Sequence, residues 1–270
     1  MKTSSIAFIG GGNMASALIG GLLRAGATAQ AISVIEPSPA QRAKLADQFG
    51  VAAQGSADAR LAHAKTVVWA VKPQAFAEAA AACKPHLAHA LQVSVMAGVR
   101  CAAVVRASGS ARVVRAMPNM PALIGQGIAG LYARPAVDAT ERQAVMDLFA
   151  PTGRTLWVEH EDDLDAVTAL SGSGPAYVFF FIEAMVQAAV EMGLTAEQGR
   201  ELAQATFAGA ATLAQQSPLS PTALREQVTS KGGTTHAAIT LMQAQGLAPA
   251  FIKALHAARA RATELGAAPD

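Results

Sequence analysis

The sequence predicts an α/β protein in which a Rossmann-like domain, built on a doubly wound and mainly parallel sheet, is followed by an all-α domain. A glycine-rich turn near the amino terminus lies between a short apolar run and a segment with helical periodicity. Over about the first 160 residues, short β-rich runs alternate with helical segments, and the strand signal then stops. Repeated strand–helix–strand units build doubly wound folds, so these observations predict the class of the first domain.

Six short runs are predicted to be strands of this sheet. They are almost continuously apolar rather than alternating, as expected for parallel strands that are covered on both faces. The predicted ranges are 6–9, 32–35, 66–71, 91–96, 112–116 and 128–132.

Helices are predicted between these strands and throughout the rest of the chain. Ser38-Pro39-Ala40-Gln41 has the pattern of a capping box with proline at the first helical position, and Asp138 with Glu141 marks another helix start. Beyond the sheet, the predicted helices cover 163–170, 176–192, 195–215, 222–228, 235–245 and 249–264. We therefore expect a dinucleotide-binding domain over residues 1–161 and a helical domain over residues 162–270.

Composition excludes several classes of function. Hydrophobic residues make up 52% of the chain and charged residues 15%, which excludes global disorder. A net charge of +2 without a long basic run gives no electrostatic basis for binding nucleic acid or a membrane surface. Cys83 and Cys101 are too few for a disulfide framework and indicate a cytoplasmic protein. His86 and His89 lack an accompanying acidic or cysteine cluster, so no metal site is expected.

The most apolar stretch, 176–190, is predicted to be a buried helix. Glu183 and Gln187 interrupt it and Pro175 precedes it, so it is too short and too interrupted to span a bilayer. A helix this apolar on all sides needs burial on every side. A second copy of the chain supplies that surface most simply, so we expect a homodimer through the helical domain.

The glycine-rich turn has the features of a dinucleotide site. Gly10-Gly11-Gly12-Asn13-Met14-Ala15 fits G-x-G-x-x-A after a strand and before a helix. The pattern needs Gly10 for the tight turn, Gly12 for close approach of the pyrophosphate, and Ala15 for packing of the helix on the strand. The helix N-terminus then offers free N–H groups to the phosphates.

The residues after the second strand leave the choice of nicotinamide cofactor open. Glu36 ends that strand, where a carboxylate accepts hydrogen bonds from ribose hydroxyls and repels a 2′-phosphate, as suits NADH. Ser38 and Arg42 follow directly and are able to hold a phosphate, as suits NADPH. The sequence predicts NADPH or NADH without choosing between them.

Further segments lie where ligands bind in such folds. Three of them follow strands, at the end of the sheet that lines the cofactor cleft of open α/β proteins: 70–74, 94–98 and 117–121. From the pattern alone, each is either part of the cleft or a simple turn. Two unusual loops lie in the helical domain, Ser171-Gly172-Ser173-Gly174-Pro175-Ala176-Tyr177 and Thr229-Ser230-Lys231-Gly232-Gly233-Thr234-Thr235. The second opens a helix, where hydroxyls and bare N–H groups form either a carboxylate or phosphate site or a simple cap.

These motifs, in this order and spacing, resemble those of the pyrroline-5-carboxylate reductase family. The segments that carry the resemblance are GGGNMA, AVKPQ, MPNMP, SGSGPAY and TSKGGTTHAA, and it extends from residue 6 to about residue 264. The resemblance implies a Rossmann domain, an interlocking helical dimerisation domain, and reduction of 1-pyrroline-5-carboxylate to L-proline with NADPH or NADH. One departure is Glu36-Pro37-Ser38, where many members carry a serine or asparagine followed by an arginine.

The resemblance also implies roles for individual residues. Thr235 is expected to hydrogen-bond the ring nitrogen of the imine as the catalytic residue. Substrate contacts are expected from Ser230, Gly232, Gly233, Thr234 and Glu161. Cofactor contacts are expected from Gly10, Gly11, Gly12, Asn13, Met14, Ala70, Val71, Lys72, Pro73, Met96, Ala97 and Gly98. Glu36 and Ser38 join this set from their position after the second strand rather than from the resemblance.

Three other functions compete with this interpretation. A 3-hydroxyacid dehydrogenase uses a lysine on a helix as its acid–base group, and the helix after Pro175 has none. A reductase for another cyclic imine would differ in ring size or in its dependence on the carboxylate. A nicotinamide-binding sensor without turnover has no need of a substrate site, so the intact second-domain loops favour an enzyme.

Overall fold

An eight-stranded sheet forms the centre of the amino-terminal part of the chain. The structure is a computed structural model that describes residues 5–87 and 89–267. The strand order is β3-β2-β1-β4-β5-β6-β7-β8. The strands are β1 (Ile6–Ile9), β2 (Ile32–Ile35), β3 (Ala53–Gln54), β4 (Thr66–Trp69), β5 (Leu91–Ser94), β6 (Val113–Met117), β7 (Gly127–Ala133) and β8 (Gly153–Trp157).

The sheet is parallel except where β7 runs antiparallel to β6, which confirms a mainly parallel sheet. All six predicted strands are present, but β3 and β8 were not predicted. The strand β3 has two residues, which are too few to form a recognisable hydrophobic pattern in the sequence. In β8 the residues alternate between partly buried and exposed, and Leu156 is 54% exposed, because the strand lies at the edge of the sheet. It therefore lacks the apolar run that marks a strand covered on both faces.

Helices cover both faces of this sheet, as the doubly wound fold class requires. They are α1 (Asn13–Arg24), α2 (Pro39–Phe49), α3 (Phe76–Cys83), α4 (Cys101–Ser108) and α5 (Ala139–Phe149). Two separate apolar clusters result. Phe8 and Leu18 belong to one, and Ala7 and Trp69 to the other. Neighbouring residues of β1 thus enter opposite cores, because side chains alternate along a strand.

The two predicted helix starts differ in detail. Asp138 and Glu141 form a reciprocal capping box at α5, as expected. At α2 the Ser38 side chain accepts the Gln41 N–H, but the Gln41 side chain does not close the box. Its amide donates instead to the carbonyl of Gly11, which joins α2 to the glycine turn.

The chain separates into two compact units at a point later than the sequence pattern predicts. The amino-terminal unit runs to Ser173 and includes the residues from Ala258 onward, and the helical unit is Gly174–Ala257. The predicted boundary lies at 161/162. Residues after it stay with the sheet because they pack tightly on it, and a Cβ on Gly130 would lie 2.6 Å from the Val167 side chain.

The helical segments after the sheet are close to those predicted. They are α6 (Asp163–Val167), a π-helix (Thr168–Gly172), α7 (Gly174–Glu191), α8 (Ala196–Gln216), α9 (Pro221–Gln227), α10 (Thr234–Ala244) and α11 (Leu247–Ala267). Among the described residues beyond Trp157 there is no strand. In the helical unit, Phe251 makes edge-to-face contacts with Tyr177 and Phe181, with ring centroids 5.7 Å and 5.8 Å apart.

The longest apolar helical run is more exposed and longer than predicted. It extends over Asp163–Glu191, 29 residues, and its most apolar window is 6% buried. By length and composition alone, this helix is long and apolar enough to cross a membrane. The expectation that it is too short to span a bilayer was therefore wrong. The difference arises because α6, the π-helix and α7 form one continuous run. Phe180 on α7 is 67% exposed, which leaves a large apolar face for another surface to cover.

Both cysteines are buried, unpaired thiols of the amino-terminal unit. Burial raises the pKa of Cys83 from 9.0 to about 11. Burial, together with the neighbouring Glu161 carboxylate, raises the pKa of Cys101 from 9.0 to about 12. These thiols stay protonated at neutral pH and pack as small buried hydrophobic side chains.

We expect the free energy of unfolding to decrease above pH 9. The unfolded chain loses its thiol protons near pH 9, whereas the folded chain keeps them to about pH 11–12. Stability from these groups is therefore complete below pH 9 and declines as pH rises through the folded values. Urea unfolding at several pH values, with Cys101→Ala as the comparison, measures this slope. An equal slope in both proteins would contradict the assignment.

Candidate active site

Four neighbouring strands bring the predicted cofactor segments to one edge of the sheet. Ile9 pairs with Ile35 on one side and with Trp69 on the other, and Trp69 pairs with Ser94. The residues that follow each strand therefore lie side by side. The chain leaves β1 for β2 on one side and reaches β4 on the other, so this edge is the topological switch point where open α/β sheets bind ligands.

The first glycine of the turn is required by both conformation and space. Gly10 has φ 96° and donates its N–H to the carbonyl of Ile35 at 2.8 Å. A Cβ here would lie 2.7 Å from the carbonyl oxygen of Ala70. The turn thus presses directly against the segment that follows β4, which places two predicted cofactor segments in contact.

The third glycine, by contrast, faces open space. Gly12 has φ −68°, and no atom of residues 5–87 or 89–267 lies within 4 Å of a Cβ built on it. It is the N-cap of α1, and no side chain in the described part of the chain caps the first N–H groups of that helix. Open space beside a bare helix N-terminus fits the pyrophosphate of a dinucleotide. The residues present therefore fit NADH or NADPH.

Glu36 lies against the same turn. Its Oε2 accepts the Gly11 N–H at 2.8 Å, and its Oε1 accepts the Ser38 N–H at 2.9 Å. Each carboxylate oxygen keeps acceptor capacity for a hydroxyl. The Ser38 hydroxyl is the N-cap acceptor of α2, and Arg42 donates to the carbonyls of Glu36 and Pro37 at 2.9 Å and 2.8 Å. The two groups expected to favour a phosphate are thus engaged elsewhere.

The remaining cofactor segments lie at the same edge. Ala70 and Val71 are half-buried beside Gly10, whereas Lys72 and Pro73 are exposed. After β5, Met96 is buried and Ala97 exposed. Gly98 has φ 76°, and a Cβ there would lie 3.2 Å from the carbonyl oxygen of Leu265. The exposed members of this set are free to contact a ligand, while the buried ones fix the loops.

The segment 117–121 has a clear anchoring role. Asn119, which is 9% exposed, accepts the Ile128 N–H at 3.0 Å and donates to the carbonyl of Ser171 at 3.2 Å. A Cβ on Gly172 would lie 2.6 Å from the Met117 side chain. This segment therefore holds the π-helix, and π-helical turns are frequent at functional sites.

Glu161 is part of a charge cluster that the sequence motifs do not reveal. Its Oε1 accepts the Cys101 N–H at 2.7 Å and pairs with Arg115 at 2.9 Å. The Arg115 side chain is 4% exposed in β6. A lone arginine in an otherwise apolar strand was the available signal, because a buried guanidinium needs a partner. The expected contact of Glu161 with substrate stays a prediction.

The second candidate site lies in the helical unit, at the start of α10. Gly233 is the N-cap, with φ −81° and ψ 176°, and among the residues that the structure describes no side chain caps this helix. Gly232 has φ 77°, and no described atom lies within 4 Å of the position that a Cβ would take there. Gly233 donates its N–H to the carbonyl of Ser230 at 3.0 Å, which closes a tight turn before the helix. The loop thus shapes an open helix N-terminus.

The hydroxyl groups of this loop are not used for capping. Thr235 is half-buried, and Ser230 and Thr234 are exposed. Within the residues that the structure describes, Thr229 bonds the carbonyl of Arg225, whereas no protein partner is found for the side chains of Ser230 or Thr235. The simple-cap alternative is therefore not what this loop does, and its donors are available to a carboxylate ligand.

A glycine turn of the dinucleotide-binding type on a doubly wound sheet, followed by a helical unit, is the architecture of a nicotinamide-dependent oxidoreductase. Residues 5–98 match the family model "NADP oxidoreductase coenzyme F420-dependent". Residues 161–265 match the model "Pyrroline-5-carboxylate reductase dimerisation". The second match identifies the helical region as a dimerisation domain.

Relatives that align with nearly the whole chain are also pyrroline-5-carboxylate reductases. The chain is 44% identical to the pyrroline-5-carboxylate reductase of Pseudomonas aeruginosa over 98% of both chains. The structure of such a reductase from Coxiella burnetii has a TM-score of 0.90 at 38% identity, over 98% of this chain and 99% of that one. The structure of a pyrroline carboxylate reductase from Plasmodium falciparum with NADP bound has a TM-score of 0.88 at 28% identity, over 99% of this chain and 100% of that one. The chain belongs to the pyrroline-5-carboxylate reductase family.

Proposed function

We propose that this chain reduces 1-pyrroline-5-carboxylate to L-proline, with NADH or NADPH as the reductant. The observation that carries the proposal is the start of α10, where Gly232 and Gly233 leave an uncapped helix N-terminus beside unengaged hydroxyls. Such a group binds a carboxylate. The family membership and the glycine turn support the reaction and the class of cofactor.

The residues of the α10 loop hold the substrate in this mechanism. Ser230, Gly232, Gly233 and Thr234 bind its carboxylate, and Thr235 donates a hydrogen bond to the ring nitrogen. A threonine hydroxyl is too weak an acid to protonate the nitrogen alone, so the proton arrives with the iminium form or through water. When bound, the cofactor supplies the hydride. The protein contributes mainly by positioning the two reactants.

The cofactor contacts follow the glycine turn and the neighbouring strand ends. Gly12, Asn13 and the N-terminus of α1 bind the pyrophosphate. Glu36 binds the ribose hydroxyls. The contacts proposed in addition are Gly10, Gly11, Met14, Ser38, Ala70, Val71, Lys72, Pro73, Met96, Ala97 and Gly98.

We expect NADH to be preferred over NADPH. Glu36 places a carboxylate beside the ribose position, and repulsion of about 1–2 kcal/mol toward a 2′-phosphate corresponds to a preference of about 10-fold. Glu36→Gln removes the charge and lowers the ratio of the two kcat/KM values toward one. Asp47→Asn, an exposed charge removal on the adjacent helix α2, is the matched control and leaves the ratio unchanged. A ratio that favours NADPH in the unaltered protein would contradict this role.

We also propose that the active form is a cytoplasmic homodimer, assembled through the helical unit and able to pair into larger oligomers. Support comes from the dimerisation match over residues 161–265 and from the exposed apolar face of α7, which a second copy of the chain covers. The two unpaired, buried cysteines fit a reducing compartment.

Turnover with two related imines tests the proposed function. Purified protein is supplied with NADH or NADPH and either 1-pyrroline-5-carboxylate or 1-pyrroline, which lacks the carboxylate. We expect oxidation of the cofactor with the carboxylate substrate and a loss in kcat/KM of at least about 100-fold without it, since a charge-assisted site is left unfilled. Equal rates with both imines would favour a different imine reductase. Cofactor binding without turnover would favour a sensor.

A further inference from the structure

Three carboxylates at the start of α6 form a cluster around the loop that follows β5. We call Glu161, Asp162 and Asp165 the acidic clasp. The Asp165 side chain is 4% exposed and that of Glu161 is 21% exposed, whereas Asp162 is at the surface. Buried carboxylates require partners. The partners of the clasp are Arg100 and the N–H of Cys101, which follow the loop 96–98, together with Arg115 on β6 and Thr263 on α11.

Glu161 is attached to the first turn of α4. Its Oε1 accepts the N–H of Cys101, the first residue of α4, at 2.7 Å and pairs with Arg115 at 2.9 Å. A carboxylate at a helix N-terminus is favoured by the free N–H groups and the helix dipole. The buried Arg115 fixes the carboxylate in that place, because either charge would be costly without the other.

Asp165 pairs with Arg100, the residue directly before Cys101. Its Oδ2 accepts from the Arg100 guanidinium at 3.0 Å and from the Thr263 hydroxyl at 2.9 Å. The last turn of α11 also presses on the loop. A Cβ on Gly266 would lie 2.8 Å from Nε of Arg100, and one on Gly98 would lie 3.2 Å from the carbonyl oxygen of Leu265. Residues 98–101 are therefore held between α6 and α11.

We propose that Glu161 and Arg115 are positioning residues for the cofactor, acting through the Cys101 N–H to fix the loop 96–98. The proposal rests on the proposed function, since it assigns that loop to the cofactor. It differs from the resemblance in the role of Glu161, which here supports the cofactor site without touching the imine. Glu161 is 60 positions away from Cys101 in the sequence, so no sequence motif indicates that the two residues are in contact.

Separate measurements of the two ligands test this role. Glu161→Ala is expected to raise the Kd for NADH, followed by its fluorescence, by about 10-fold, as for loss of a charge-assisted hydrogen bond. The KM for 1-pyrroline-5-carboxylate at saturating NADH changes less than about twofold. Glu161→Gln keeps the acceptor and recovers most of the affinity, and Arg115→Met has the same profile as Glu161→Ala. Glu264→Ala removes an exposed ion pair with Arg261 on α11 and is the control.

The reactivity of the Cys101 thiol reports how firmly the acidic clasp holds residues 98–101, and the measurement does not require turnover. Cys101 is 1% exposed and is the last residue of the held segment 98–101. In a Cys83→Ala background, Cys101 is expected to react with a disulfide reagent about 10-fold faster in Glu161→Ala than in Glu161→Gln, because a freed loop opens more often. Both variants remove the carboxylate charge that raises the pKa of Cys101, so the difference between them reports the lost hydrogen bond.

An unchanged Kd for NADH with a raised KM for the imine would overturn the proposal and make Glu161 a substrate contact. If Glu161→Ala does not fold, Glu161→Asp shortens the side chain that reaches the Cys101 N–H and is expected to raise the Kd for NADH by about threefold. An unchanged Kd in that variant would likewise overturn the proposal. Failure of the proposed function is seen separately, as absence of imine-dependent oxidation in the unaltered protein.

Discussion

Thr235→Ala is expected to lower kcat/KM for 1-pyrroline-5-carboxylate by a factor of about 10 to 1000. One hydrogen bond that is stronger in the transition state than in the ground state is worth about 1.5–4 kcal/mol, which corresponds to that range. Thr235 is half-buried in the first turn of α10, and its hydroxyl is not used to cap the helix. Because the group acts on the reacting nitrogen, the loss is expected in kcat as well as in kcat/KM.

Two companion variants separate this role from a structural one. Thr235→Ser keeps a hydroxyl and recovers most of the activity. Thr240→Ala makes the same truncation on an exposed face of α10 and leaves the kinetics unchanged. Ser230→Ala is expected mainly to raise KM, since it contacts a part of the substrate that does not react. Steady-state kinetics that are the same for Thr235→Ala and the unaltered protein would remove Thr235 from the mechanism.

Gly12→Val is expected to weaken NADH binding on the order of 100-fold or more while the protein stays folded, because its side chain enters the space that the pyrophosphate needs. The backbone at Gly12, with φ −68°, suits any residue, and no atom of the described residues lies within 4 Å of the added Cβ. The cost in folding free energy is therefore that of a poorer N-cap, about 1 kcal/mol or less. Titration of NADH fluorescence and urea unfolding measure the two effects.

Gly10→Ala is the comparison variant, because its main effect is expected on folding stability rather than on space for the cofactor. Its φ of 96° and the 2.7 Å approach to the carbonyl of Ala70 strain any side chain. We expect a loss of about 1–3 kcal/mol in the free energy of unfolding. If Gly12→Val bound NADH as tightly as the unaltered protein, the pyrophosphate would not lie at α1.

The parts of the fold that the sequence predicted are those with local causes. The glycine turn and its neighbouring strand and helix follow from conformation and periodicity within a few residues. The cap at Asp138 is equally local. The loop before α10 was recognised by its glycines and hydroxyls, and its open helix start is a local property as well.

The parts that it did not predict depend on contacts between distant segments. The edge strand β8 is half exposed and carries little apolar signal. The later division of the chain, at Ser173, arises from the packing of Val167 against Gly130. The pairing of Glu161 with Arg115 joins residues 46 positions apart. Spacing along one sequence does not encode such pairs, although an arginine in an apolar strand indicates that a partner exists.

Transfer of a label tests the central claim most directly. NADH deuterated at C4 on both faces is incubated with the protein and 1-pyrroline-5-carboxylate, and the product is analysed by mass spectrometry and NMR. Hydride transfer to the imine carbon predicts L-proline with one deuterium at C5, because that carbon was double-bonded to nitrogen. Proline without deuterium, or oxidation of NADH without proline, would contradict the account.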